Sequence, residues 1–311
     1  MSWEFELVAG PYGSPIDGPC WDGHGLLFTR LVLPPAAPEN KVLRYTPQTG
    51  AVEDFRTWTH RVMGLAFSPG GILYGCQSTS RRIIRYDPDG SAWAMSHRVG
   101  GEYHNEPKDL IVDSRGRIWF TDPYAPPPGT RAQFASRVPF AAVLRMDAPV
   151  NRDAAIQRMT YDTKAPSAVL LSKDERTLYV SEDSAEAEGK RELRAYPILA
   201  DGTLGICKVL VTFGADARGV QRGISGMCLD GEGNIIACAG GKKSGPGPMI
   251  YVITPEGRIL ETAPLPEGEP TNCAFGDPAL DALYVTTGDG RLYRVRNTGR
   301  KGWLLYPPQP R

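Results

Sequence analysis

"LAFSPGGILYGCQSTSRRIIRYDPDG", residues 65 to 90, carries the fold of this chain in miniature. An apolar segment, Leu65 to Phe67, runs into a Ser68-Pro69-Gly70-Gly71 turn. A β-rich segment follows, then a polar loop, then Arg82 to Tyr86, which mixes basic, apolar and aromatic residues. Asp87-Pro88-Asp89-Gly90 closes the unit. Gly, Pro and Asp at these spacings punctuate short strands. Capped stretches of helical period are nearly absent from the chain.

The same unit recurs as "LIVDSRGRIWFTDPY" from Leu110, "VLLSKDERTLYVSED" from Val169, "MCLDGEGNIIACAGG" from Met227 and "CAFGDPALDALYVTTGDGRLYRVRN" from Cys273. A looser copy, "CWDGHGLLFTR", begins at Cys20. Starts at 65, 110, 169, 227 and 273 are separated by 45, 59, 58 and 46 residues. A four-stranded propeller blade takes roughly 40 to 50 residues, and insertions go to loops. The long third copy carries the Pro-rich "YAPPPGTRAQFASRVPF" and the fourth "EDSAEAEGKRE". Six copies predict an all-β, six-bladed β-propeller spanning residues 1–311 as one domain. The N-terminal "WEFELVA" alternates Trp3, Phe5 and Leu7 with Glu4 and Glu6, a strand with one buried face. It is expected beside the last blade, near "LYRVRN", where closure removes two free sheet edges.

Composition narrows the function. The 311 residues include 35 basic and 35 acidic ones, a formal net charge of zero that argues against nucleic-acid binding. No apolar run reaches membrane-spanning length, and "MSWEFELVAG" lacks the character of a secretory signal, so no membrane partner and a cytoplasmic location are expected. The six cysteines form no CxxC pair and read as reduced core thiols. "GGKKSGPG" lacks phosphate-loop spacing and reads as an exposed loop. The partner that remains is a small-molecule substrate; oligomeric state is not encoded in any of these features.

In a propeller, residues just before each innermost strand meet at one end of the axis. The repeat phase puts Asp17, Met63, Lys108 with Asp109, Ser167, Ser225 and Asn272 there. His60 and His104 precede the second and third inner strands and are expected to face the same pocket, with Tyr103, Trp119 and Tyr124 as possible walls.

These motifs resemble the family of senescence-marker protein, gluconolactonase and luciferin-regenerating enzyme, from "IDGPCW" to "LYVTT", most specifically in "DLIVDSRGRIWFTDPY". The resemblance implies a six-bladed propeller with a divalent cation, often calcium, on its axis, and a lactonase or related hydrolase. The ligand positions depart from that pattern. Asp17 replaces the Glu of the family's Glu-Gly-Pro, Lys108 the Asn of Pro-Asn-Asp, Ser167 the Asn of Pro-Asn-Gly, and Ser225 the Asp of Asp-Gly-Met. Asp17 and Lys108 sum to zero charge where the family offers two carboxylates. At ~5 Å and an effective dielectric of ~20, an ammonium and a dication repel by roughly 7 kcal/mol. No metal or other cofactor is therefore expected. The resemblance makes Asp109 chiefly a support for the neighbouring loop.

Lys108 has three readings. As a tether it pairs with Asp17 and donates to Ser167 and Ser225. As a catalytic acid, base or electrostatic clamp it stabilises an oxyanion, with Asp17 or Asp109 as proton acceptor and His104 as a further acid–base candidate. As a nucleophile it forms a Schiff base. Ser167 and Ser225 lack a nucleophile-elbow context. Met63, His60, Ser167, Ser225, Asn272 and Tyr124 are the candidate substrate contacts, and Met63 makes its side of the pocket apolar. A lactone-type hydrolase is the leading expectation; a lyase, isomerase or cyclase on the same scaffold, or a non-catalytic binding propeller, are the alternatives.

Overall fold

The computed structural model describes residues 2–32, 40–95, 98–124, 137–147 and 154–306, and no helix occurs among them. Six sheets of four or five strands succeed one another along the chain as antiparallel meanders, beside two short two-stranded ribbons. Their innermost strands are Ile16–Trp21, Val62–Phe67, Leu110–Val112, Pro166–Leu171, Ile224–Asp230 and Pro270–Gly276. Each inner strand touches those of the two adjoining blades, and these contacts close into a ring, a six-bladed β-propeller. Most of the Pro-rich insertion in the third repeat, residues 125–136, lies outside the described residues.

The blades stand face to face, so most strands are covered on both sides. Strand Ile118–Asp122 shows the consequence of the two-residue period: every residue is buried. Ile118 and Phe120 enter the core against blade two, and Trp119 enters the core against blade four. One apolar cluster fills each of the six junctions. This explains why strand signals here are nearly continuous apolar runs rather than strict alternation. Trp119, a sequence candidate for the pocket wall, is one of these core residues, its indole N–H donating to Asp113 at 2.9 Å.

The N-terminal strand Glu6–Ala9 pairs antiparallel with Leu292–Val295 and supplies the outer strand of blade six. Arg294 clamps Glu6 through two guanidinium nitrogens, at 2.8 to 3.0 Å. The expected buried face is only partly realised. Trp3 is buried, but Leu7 is 46% exposed, because the register shifts between Leu7 and Ala9 and turns Val8 and Ala9 toward the core instead.

A second device fixes the hub. In five of the six blades the register of the inner strand slips just where the pocket residues stand: between Asp17 and Cys20, Val62 and Leu65, Pro166 and Val169, Ile224 and Gly226, and Pro270 and Asn272. Bulges of this kind unpair a residue and re-aim its side chain. Hydrogen bonds then cross every junction at this level. Thr29 donates to the Met63 carbonyl, the Gly64 N–H to Lys108, Thr121 to Ser167, Ser181 to Ile224, Ser225 to Pro270 and Thr271 to Ile16. Glycine is required at the tightest approach: a Cβ on Gly18, which has φ +53°, would lie 2.1 Å from the Met63 carbonyl oxygen.

At the opposite end of the axis the chain returns. Gly302–Trp303 adds to the inner strand of blade five. Trp303 receives Lys173 over its ring at 4.4 Å, and the Tyr306 hydroxyl bonds Glu175. Trp303 to Tyr306, with inner-strand side chains such as Leu65, Ile111 and Leu229, enclose an axial cavity of about 130 Å³ that reaches up to Gly18, Asp109 and Asn272.

Candidate active site

Lys108 lies in the segment leading into the inner strand of blade three and is held there by backbone pairing, its N–H donating to Thr121 at 3.0 Å and its carbonyl accepting from Gly64 at 2.8 Å. Its ammonium donates to the Ser167 hydroxyl of blade four. Burial lowers its pKa, while Asp183 and then Asp17 hold the charged form up, and Arg222 opposes it. Neither carboxylate is in direct ion-pair contact with the ammonium; both act as through-space charges. The expected Lys108–Asp17 pair is thus an electrostatic neighbourhood spanning the hub, and one Asp17 oxygen accepts the Gly18 N–H at 2.7 Å.

Asp17 is 6% exposed. Burial raises its pKa above the usual carboxylate range, against the Lys108 charge, the Gly18 N–H, the Asn272 amide and Arg222. Its proton affinity is therefore set partly by Lys108, across the ring. Asp109 takes a different role. One carboxylate oxygen accepts the Val169 N–H of blade four at 3.0 Å, and burial pushes its pKa up to about 7. From the side of the axial cavity it ties blade three to the inner strand of blade four.

The remaining candidates divide. Ser167 and Asn272 are buried at the hub with Asp17, and Met63 abuts Gly18. Asn272 turns its side-chain oxygen to the N–H of Cys273 at 2.9 Å. Ser225 is at the hub but does not receive Lys108: its hydroxyl donates to the Pro270 carbonyl at 2.9 Å, the junction bond of blades five and six. His104 does not face the pocket. It is fully buried and stacked on Phe120, 5.3 Å between centroids, because the chain before Lys108 folds into the junction with blade two. His60 is exposed and lines an outer cleft between blades one and two, since a left-handed turn carries it outward before the inner strand starts. Tyr124 is 48% exposed beside Arg137, and Tyr103 underlies the guanidinium of Arg98 at 4.0 Å.

Two charged residues escaped the sequence reading. Asp183 ends the second strand of blade four and fixes the Gly223 N–H at 2.7 Å. Arg222 precedes the fifth inner strand, 3.8 Å from Asp183 and 3.7 Å from Glu269. The available signal was the repeat itself: Asp183 ends "YVSED" as Asp122 ends "WFTD".

Together, ring and hub define a six-bladed propeller with a buried, charged polar cluster at one end of its axis and an apolar, strand-capped cavity at the other. The chain belongs to the SMP-30/gluconolactonase/LRE-like family, whose sequence pattern matches residues 16–289. It is 27% identical to a gluconolactonase structure from Xanthomonas campestris, with a TM-score of 0.74 over 94% of this chain and 89% of that one. It is 27% identical over 193 residues to the 6-deoxy-6-sulfogluconolactonase of Pseudomonas putida, a match covering 62% of this chain and 57% of that protein. It is 30% identical over 92 residues to regucalcin of Xenopus laevis, which is 25% of this chain and 29% of that one. These matches span less than two thirds of the length of the curated relatives.

Calcium takes six to eight hard oxygens. The corresponding positions offer one carboxylate, an ammonium, a hydroxyl held by that ammonium, and a hydroxyl turned to a backbone carbonyl. Among the described residues no group of three or more His, Cys, Asp or Glu is arranged to hold a metal ion. This donor set does not fit a dication.

Proposed function

We propose that this protein hydrolyses a lactone or related cyclic carbonyl compound at the hub, with the Lys108 ammonium supplying the positive charge and without a divalent metal. The observation that carries the reading is the Lys108–Ser167 bond at the axis, flanked by Asp17 and Asp183. In ring opening, the carbonyl oxygen gains negative charge as water attacks, and an ammonium already fixed beside it needs no reorganisation. Asp17 is the proton acceptor for that water, its raised pKa making it a stronger base than an exposed carboxylate. The C–O bond then breaks, and the ring oxygen leaves with a proton from Lys108, whose lowered pKa favours donation. Proton return from Asp17 to Lys108 restores both groups, leaving a hydroxy acid whose carboxyl proton ionises to water. Ser167 orients the ammonium, and Met63 faces the less polar part of the substrate. The six free cysteines accord with a reducing, cytoplasmic setting.

Hydrolysis of a lactone panel, measured with and without a chelator, tests this directly. Chelator-resistant turnover is expected; loss of turnover on chelation, restored by a dication, refutes it. Borohydride inactivation in the presence of a carbonyl substrate would instead move Lys108 to Schiff-base chemistry.

A further inference from the structure

We infer that the cleft between blades one and two is a second ligand site, for a ring-bearing carboxylate. It measures about 650 Å³ and lies against the outer strands Ala51–Thr57 and Ala92–Ala94, away from the hub. Phe55, Arg56, Trp58, His60, Arg82 and Tyr86 line it. That volume is within the usual range for small-molecule pockets.

The turn that enters the cleft is strained. Trp58, His60 and Arg61 have φ of +56°, +52° and +58°, a region that non-glycine residues rarely adopt. The strain is held from inside. Thr59 is 3% exposed; its N–H donates to the Asn40 carbonyl at 3.3 Å, and its own carbonyl accepts from Gln77 at 3.1 Å. The outcome is an indole, Trp58, kept 68% exposed at the cleft. Strained backbone of this sort persists where surrounding structure over-determines it, and it clusters at ligand sites. An indole carried on a fixed backbone and held out of the core is a stacking surface that needs only its own rotamer ordered.

The charge of the cleft selects the ligand. Arg56 lies over Phe55 at 4.3 Å and donates to the Phe55 and Asp87 carbonyls, at 2.8 and 3.2 Å. Arg82 donates to Gln77 at 2.6 Å, which ties it to the strained turn. Neither guanidinium meets a carboxylate among the described residues, whereas the one acid of the cleft, Asp54, is taken by Lys41 at 2.7 Å. Two guanidiniums with no ion-pair contact among the described residues, Asp89 acting on Arg56 only through space, suit beside an exposed indole an organic anion with a flat or ring-shaped body. Inorganic phosphate would satisfy the charge and leave the indole unused.

Titration calorimetry of the full chain with sodium glucuronate tests the site. Saturable one-site binding is expected, with neutral glucose silent. Trp58→Ala and Arg82→Gln should each weaken it at least tenfold, and Trp58→Phe should retain most of it. Lys108→Met should leave it unchanged. Unfolding midpoints of the variants confirm that each is folded. Absence of saturable binding, equal binding in Trp58→Ala and Arg82→Gln, or equally tight inorganic phosphate overturns the inference. Loss in Lys108→Met alone would place glucuronate at the hub, which also overturns it while leaving the proposed lactone chemistry standing.

Discussion

Replacing Lys108 with Met separates what the ammonium does for the fold from what it does for the reaction. Met has nearly the same length and no charge. In the native protein the ammonium is disfavoured by burial, so its pKa lies below the ordinary lysine value. The sign follows from linkage: a cation with a depressed folded pKa costs the fold at neutral pH, and removing it returns that cost. Against this, Ser167 loses its donor and Asp17 and Asp183 lose a favourable charge. These terms oppose each other, and a net stability change within about 1–2 kcal/mol is expected. Catalysis has no such offset. An ammonium ~3 Å from a developing oxyanion, at an effective dielectric of ~20, contributes roughly 5 kcal/mol before desolvation. Loss of one donor of this kind typically costs 2.7–4 kcal/mol, about 10²–10³ in kcat. The variant should therefore melt close to the wild type yet hydrolyse δ-gluconolactone or a better panel substrate at least a hundredfold more slowly. The acid limb of its residual rate should also move to higher pH, because Lys108 is the leading influence that holds the Asp17 pKa down. Urea unfolding and initial rates across pH 4 to 10 suffice. A folded Lys108→Met protein with kcat/KM within threefold of the wild type refutes the assignment.

Four further outcomes follow from the same geometry. The wild-type pH–rate profile should be bell-shaped and narrowed from both sides, since burial raises the Asp17 pKa and lowers that of Lys108; a rate still rising through the ordinary lysine range excludes Lys108 as the acid. Asp109 has its folded pKa raised to about 7, so its stability contribution is present below the unfolded carboxylate value and is lost as pH rises toward 7. Asp109→Asn, whose amide oxygen can still accept from Val169, should flatten that loss, of which about two units, or ~2.7 kcal/mol, fall between pH 5 and 8, as read by urea midpoints at those two values. Ser225→Ala should cost about 1 kcal/mol through the lost bond to the Pro270 carbonyl, which keeps only the long Arg222 contact at 3.5 Å, while leaving kcat within a few-fold, whereas an inactive, stable variant would make Ser225 part of the chemistry. Deleting residues 2–9 uncovers the edge of Leu292–Val295 and should produce concentration-dependent association, which light scattering would detect.

Much of this protein is legible locally. Strand period, turn chemistry and repeat spacing act over a few residues, so "SPGG", "DSRG" and "DGEG" mark blades without any knowledge of their neighbours. Counting them predicts six blades, and their phase places Asp17, Lys108, Ser167, Ser225 and Asn272 at one level of the hub. The N-terminal strand could be placed as well, because an unpaired amphipathic strand and an open ring have one mutual remedy.

Side-chain direction was decided by tertiary structure. The slipped registers at the heads of the inner strands turn Ser225 toward Pro270 and leave Ser167 for Lys108. The left-handed turn before blade two throws His60 outward, and the segment before Lys108 packs His104 on Phe120. Asp183 and Arg222 enter the site from outside the repeat position that the sequence marked, through ring closure. The physical reason is range. Backbone periodicity is set by neighbours along the chain, whereas the electrostatic field at the hub sums charges from blades one, three, four and five that meet only after the ring has closed.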